Sequence, residues 1–243
     1  MTQSFPTDVT SDRLVSCFWQ GDAMRSRSVG TRLLSAALDV PAPPVRLLAD
    51  WERELSLVLA LTPGDVESLP LARARMRWPG YKDCVRTVAD WTRSLGLGDV
   101  LAASDVALMA CRGARYHHDG EQYGGAAFCN LFVSEDKGLD LHFAATGIRI
   151  PLVRGTVVIF DTCQPHAVIR RGSQGFDAAD FETGPECTQV FLTWELPVVA
   201  VATLMQIAFD TDRSAASTLR DEQLLLNGAR GTVCPASGRW IRA

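Results

Sequence analysis

The stretch from residue 106 to residue 196 most narrows what this chain can fold into. It breaks into short apolar runs at 106–111, 126–133, 139–143, 148–153, 156–160, 166–170 and 187–196. Gly124-Gly125, Asp136-Lys137-Gly138, Gly147 and Gly155 punctuate them. Runs of this length, rich in β-branched and aromatic residues and separated by glycine turns, read as strands. Many short strands in close succession bury their apolar faces as a sandwich or barrel of the jelly-roll kind.

The flanks have a different texture. Leu33, Leu34, Ala37 and Leu38 form one apolar stripe, and Pro41, Pro43 and Pro44 then break the chain. A helix is expected from Val45, where Leu48, Trp51, Leu55, Val58 and Leu59 recur at helical spacing, ending before Pro63-Gly64. Residues 65–74 read as a short helix, and Trp78-Pro79-Gly80-Tyr81 as a turn. Val85, Val88, Trp91 and Leu95 make a further helical stripe closed by Gly96. Residues 1–12 are polar and expected to be loose. Residues 172–186 form a polar loop long enough to cover a site, and the chain after 197 returns to helix-like texture. The expectation is one domain over 1–243 of α+β class. A mainly helical part at 13–104 precedes a β core at 105–196, with a C-terminal extension at 197–243.

Charge and cysteine usage exclude several function classes. A net charge of −4 gives no general attraction to nucleic acid or to an anionic membrane, and favours a small-molecule substrate. The apolar run at 198–209 is interrupted by Thr203 and Gln206 and is too short to span a bilayer. Seven cysteines, an odd number with no Cys-x-x-Cys pair, read as reduced thiols, most of them buried. The first residues lack a basic region followed by an apolar segment, so no secretory signal is read and a cytoplasmic location is expected.

One segment carries chemistry: Arg115-Tyr116-His117-His118-Asp119-Gly120. On a strand, residues two apart share a face, so His117 and Asp119 can reach one metal while His118 points away. Residues 156–161 form a β-branched strand after Gly155, and Pro165-His166-Ala167-Val168 opens the next one. A strand out and a strand back can return His166 to the first pair. Two imidazoles and one carboxylate on one face of a metal are the ligand set of non-haem Fe(II) with open coordination positions. His142, on an apolar strand-like run, reads as a hydrogen-bonded core histidine.

Tyr116-His117-His118-Asp119-Gly120, together with Gly155-Thr156-Val157-Val158-Ile159-Phe160-Asp161 and Pro165-His166-Ala167-Val168, resembles the Fe(II)- and 2-oxoglutarate-dependent dioxygenases. The resemblance covers about residues 105–196 and implies a double-stranded β-helix. It implies iron held by His117, Asp119 and His166, with 2-oxoglutarate and O2 as co-substrates. The implied reaction is oxidation of a substrate with release of succinate and CO2. Because Asp119 is present, hydroxylation, desaturation or another oxidation is implied over halogenation.

The sequence departs from the family pattern at one point. The family commonly anchors the distal carboxylate of 2-oxoglutarate with Arg or Lys shortly after the second His. Here that region reads Gly175-Phe176-Asp177, and the final strand opens Cys187-Thr188-Gln189-Val190. By strand alternation Arg170 shares a face with His166 and is the expected anchor, with Arg149, Tyr116, Asn130 and Thr193 as groups that share or replace that role. Three other readings stay open: an oxygenase of proteins or nucleic acids, a metalloenzyme of this barrel type independent of 2-oxoglutarate, and a metal-binding sensor.

Overall fold

The computed structural model describes residues 13–182 and 187–242. The polar segment 1–12 and residues 183–186 of the 172–186 loop lie outside them.

The chain opens with a hairpin, β1 (Leu14–Gln20) and β2 (Ala23–Ser28), followed by β3 (Leu34–Ala37). Helix α1 (Val45–Arg53) runs into a π-helical turn, Glu54–Val58. Strand β4 (Val66–Leu69) and helices α2 (Leu71–Arg77) and α3 (Tyr81–Ser94) follow. On α3, Tyr81, Cys84, Val88 and Thr92 recur at three and four residues and are the buried face. Gly96, at φ +81°, ends it: its N–H donates to Arg93 O and that of Leu97 to Thr92 O, the paired bonds of a Schellman stop.

Eight strands then build the centre: β5 (Val106–Arg112), β6 (Ala114–His117), β7 (Ala126–Phe132), β8 (Leu139–Phe143), β9 (Ile148–Pro151), β10 (Thr156–Asp161), β11 (His166–Arg170) and β12 (Thr188–Pro197). They form two antiparallel sheets. The larger has the order β3-β10-β7-β12-β5-β4 and the smaller β6-β11-β8-β9. The chain passes between the sheets at nearly every turn, which is the winding of a double-stranded β-helix. Strand alternation sorts the side chains. Phe132, Val158, Phe160 and Phe191 of the larger sheet meet Leu139, Leu141, Phe143 and Val168 of the smaller. The intervening residues Leu131, Ile159, Leu192 and Trp194 pack outward against Leu47, Trp51, Trp78 and Val88 of the helices.

After the barrel come α4 (Val198–Met205), α5 (Arg213–Thr218) and strands β13 (Gln223–Leu226), β14 (Ala229–Val233) and β15 (Trp240–Arg242). These strands join the N-terminal hairpin in a third sheet, β15-β14-β13-β1-β2. Among the described residues no helix is long and apolar enough to cross a membrane. Six of the cysteines are buried, Cys234 is half-buried, and none is in a disulfide.

Three flanking expectations are corrected. The stripe at Leu33–Leu38 contains β3, not a helix, because it extends the open edge of β10, with Leu34 opposite Ile159 and Ala37 opposite Thr156. Residues 65–74 hold β4, paired with β5, and the helix starts only after Pro70. The C-terminal extension is helical only to residue 218 and then becomes β13–β15. In each case a short apolar segment fits both periods, and the neighbouring sheet edge decides.

Candidate metal centre

His117 is the last residue of β6 and His166 the first of β11, and the two face each other across the strand pair. Asp119 follows two residues after His117 on the loop to β7. That loop is tied to the β10–β11 turn: the Asp119 N–H donates to Thr162 O at 2.8 Å, and Thr162 Oγ1 donates to Tyr123 O at 2.7 Å. The Asp119 carbonyl accepts from the N–H groups of Gln122 and Tyr123, which turns the chain back toward β7. Gly120 is required by close approach, since a Cβ there would lie 2.6 Å from Cys163 Sγ.

The ligating atoms of His117, Asp119 and His166 all lie within 4.8 Å of one another. Asp119 Oδ1 is 3.8 Å from His117 Nε2, and Oδ2 is 3.6 Å from His166 Nε2. These are too long for hydrogen bonds. Each imidazole is oriented from behind. His117 Nδ1–H donates to Arg115 O at 2.7 Å and His166 Nδ1–H to Gln164 O at 2.9 Å. With the proton on Nδ1, each Nε2 presents a lone pair toward the carboxylate, the tautomer a metal needs. Phe160 and Phe143 pack on the His166 ring at 4.7 and 6.1 Å between centroids. Burial, and then the proximity of His117, hold the His166 imidazole well below its usual pKa, so it stays neutral. Burial pushes the Asp119 carboxyl up, with His117 opposing. A divalent cation would compensate the half-buried carboxylate and accept both lone pairs, so the donor set fits iron.

Strand geometry ranks the other candidates by depth. Asn130 and Thr193 face each other across β7 and β12, with Val158 beside Asn130 on β10. They sit one inward-facing position deeper than the pair Phe128–Phe160, about 7 Å further along the strands. Both are buried, and Asn130 Oδ1 and Thr193 Oγ1 lack hydrogen-bond partners. Buried polar atoms are rarely left unpaired, and this pair keeps unspent hydrogen-bonding capacity inside the barrel.

Arg170 does not meet the expectation. It faces inward at the opposite end of β11, about 13 Å from His166 along the strand, and Val168, Phe132 and Phe191 fill the space between. Its guanidinium donates to Asp180 O at 3.0 Å and Cys187 Sγ at 2.9 Å, and its Cζ lies over the Phe181 ring. Tyr116 is likewise corrected. One residue before His117, it points to the outer face of the smaller sheet, among Ala144, Ala167, Ile169 and Val233, where its hydroxyl meets His142 Nδ1. Arg149 is on that outer face, donating to Ser173 O at 2.6 Å. The described part of the 172–186 loop leaves the Arg170 end of β11, packs Phe176 on the cluster around Tyr116 and packs Phe181 against Gly113. His118 points away from the ligands and lies against Trp240.

The terminal sheet packs Val233 on the outer face of the smaller sheet, which the sequence did not reveal. A cavity of about 450 Å³ opens beside His117, bounded by Tyr116, His118, Glu121, Arg230, Thr232 and Val233. Arg230 donates twice to Glu121 Oε1, at 2.8 and 3.0 Å. A larger cleft of about 870 Å³, with Trp51, Leu55, Arg112, Lys137 and Glu182 on its walls, lies at the Arg170 end.

No family model and no curated protein matches the chain. Among solved structures it is similar to a prolyl-4-hydroxylase from Pseudomonas putida, at 19% identity over 68% of this chain and 92% of that one, with a TM-score of 0.38. It is similar to the viral collagen prolyl hydroxylase of Paramecium Bursaria Chlorella virus-1 in its 2OG complex, at 10% identity over 69% and 96% of the two chains and a TM-score of 0.39. AviO1 from Streptomyces viridochromogenes Tue57 gives 16% identity over 70% and 90%, with a TM-score of 0.40. At these scores the similarities identify neither a family nor an activity; the winding of the strands and the three ligands at the barrel mouth are read from this chain alone.

Proposed function

We propose that this protein is a non-haem Fe(II)- and 2-oxoglutarate-dependent oxygenase of a small molecule. The observation that carries the reading is the ligand set: two imidazoles with Nδ1 tied to backbone carbonyls and Nε2 turned to one carboxylate, at the mouth of a double-stranded β-helix. Iron with 2-oxoglutarate and O2 supplies the oxidant for a substrate C–H bond, releasing succinate and CO2. His117 and His166 supply neutral nitrogen donors, and Asp119 one negative charge. Phe143 and Phe160 exclude water behind His166 and fix its ring. Asn130 and Thr193, deeper in the barrel, receive the distal carboxylate of the co-substrate through a rotated amide NH2 and a hydroxyl.

A small substrate is supported by the net charge of −4, which gives no general attraction to nucleic acid. One observation favours a second reading. Arg170 is committed elsewhere, and the Asn130–Thr193 pair is neutral, which also suits an iron oxygenase that uses no 2-oxoglutarate.

Anaerobic titration of the Fe(II)-loaded protein with 2-oxoglutarate separates the two. A saturable visible charge-transfer band is expected from the chelate. Iron binding without such a band would turn the assignment to the second reading, and absence of iron binding would remove both.

A further inference from the structure

Asp161, the last residue of β10, is completely buried and accepts four hydrogen bonds. Two come from Arg27, Nη1 at 2.6 Å and Nη2 at 2.8 Å. The others come from the N–H groups of Gly30 at 2.7 Å and Cys163 at 2.9 Å. Arg27, on β2 of the N-terminal hairpin, is buried as completely. Its Nε donates to Gly124 O at 2.7 Å and its Nη2 to Cys163 Sγ at 3.2 Å. One guanidinium thus spans two segments. Gly124 closes the loop that carries Asp119, while Asp161 and Cys163 belong to the turn that leads into His166. Cys163 Sγ is also the atom on which Gly120, the neighbour of Asp119, rests.

We propose that the Arg27–Asp161 pair is a positioning tether that sets the separation of the two metal-bearing segments, so that the N-terminal hairpin completes the metal centre. The chemistry favours this over simple adhesion. A buried ion pair adds little net stability compared with apolar side chains of the same volume, because desolvation offsets the attraction. What it adds is direction: a planar fork fixed on a carboxylate at two points transmits a defined angle. Glu222 reinforces the same loop, its Oε2 accepting from Gly124 N at 3.3 Å and its Oε1 from Trp19 N at 2.8 Å.

The inference rests on the metal reading above. Its test is Mn(II) affinity, a readout independent of turnover, measured with thermal unfolding for the wild type, Arg27→Met, Arg27→Lys and Arg171→Ala. Arg171 pairs with Asp136, in the loop before β8, and with Asp140 of β8, away from the ligands, and serves as the control. At temperatures where each variant is folded, Arg27→Met is expected to weaken Mn(II) binding about 10- to 100-fold, the effect typical of groups that orient ligands. Arg27→Lys should fall between Arg27→Met and wild type, and Arg171→Ala should bind as wild type does while unfolding at lower temperature. If Arg27→Met does not fold, Arg27→Met with Asp161→Asn leaves no unpaired charge and is measured instead. Wild-type affinity in a folded Arg27 variant overturns the tether and leaves the metal site intact. Absence of Mn(II) and Fe(II) binding by the wild type overturns the metal reading, and the tether with it.

Discussion

The two ends of strand β11 differ in what their side chains still have to offer. At one end His166 has its Nδ1 satisfied and its Nε2 free, beside a carboxylate 3.6 Å away. At the other, Arg170 spends its guanidinium on Asp180 O, Cys187 Sγ and the face of Phe181. The larger cleft lies at the Arg170 end, yet among the described residues the three groups that could hold a metal gather at the His166 end. The difference teaches that cavity size is a poor guide to chemistry here. A site is marked by unspent polar capacity held in a fixed direction.

The largest effect that would break this contrast is at the first end. His166→Ala removes a ligand, and metal affinity should fall by more than the ~10- to 100-fold typical of orienting groups, with loss of metal-dependent turnover. Isothermal titration with Mn(II) reads it, and unchanged affinity would remove His166 from the site. Next come the deep polar residues. Asn130→Leu and Thr193→Val should each weaken 2-oxoglutarate binding by about fivefold, the worth of one hydrogen bond of ~1 kcal/mol, with Mn(II) affinity unchanged. A shift in metal affinity instead would place them among the groups that orient the ligands.

Arg170→Ala sharpens the comparison from the other end. It should leave 2-oxoglutarate affinity unchanged and lower stability by about 1–3 kcal/mol, through lost hydrogen bonds and packing on Phe181. Denaturant melts and the charge-transfer titration together check it; weaker co-substrate binding would return Arg170 to the site. The smallest effect is on pH dependence. Burial, with His117 nearby, depresses the His166 pKa below its ordinary value of 6.5 in the folded protein. The unfolded chain therefore takes up the proton first as pH falls below 6.5, and metal-free stability declines from there toward the folded pKa. Thermal melts across that window should show the decline, and His166→Ala should reduce it, leaving the share of His118 and His142, which burial depresses in the same direction.

Much of the centre was legible in the sequence because its strands are long enough to show alternation and its glycines mark the turns. The runs at 139–143 and 166–170 coincide with β8 and β11, and the others differ at their ends by one or two residues. The spacing of His117 and Asp119 put them near each other, but Asp119 lies past the end of β6 and is placed by its N–H bond to Thr162 O, while the return of β11 brought His166 to them. The same rule of alternation was correctly applied to Arg170 but carried no distance. Facing inward does not bring a side chain close when a layer of Val168, Phe132 and Phe191 fills the barrel between. Tyr116 was open to correction from the sequence, since a residue adjacent to an inward histidine on a strand faces out.

What the sequence determined by itself is local: strand periodicity, turn chemistry, and three residue types spaced to meet on one metal. The tertiary structure alone decided which sheet edges β3 and β4 extend, that the two termini share a sheet, and that Arg27 reaches Asp161 across 134 positions. The physical reason is range. Alternation and turn formation are fixed by sterics within a few residues. A buried ion pair or an added edge strand depends on which surfaces meet after the barrel has closed, and no local pattern records that.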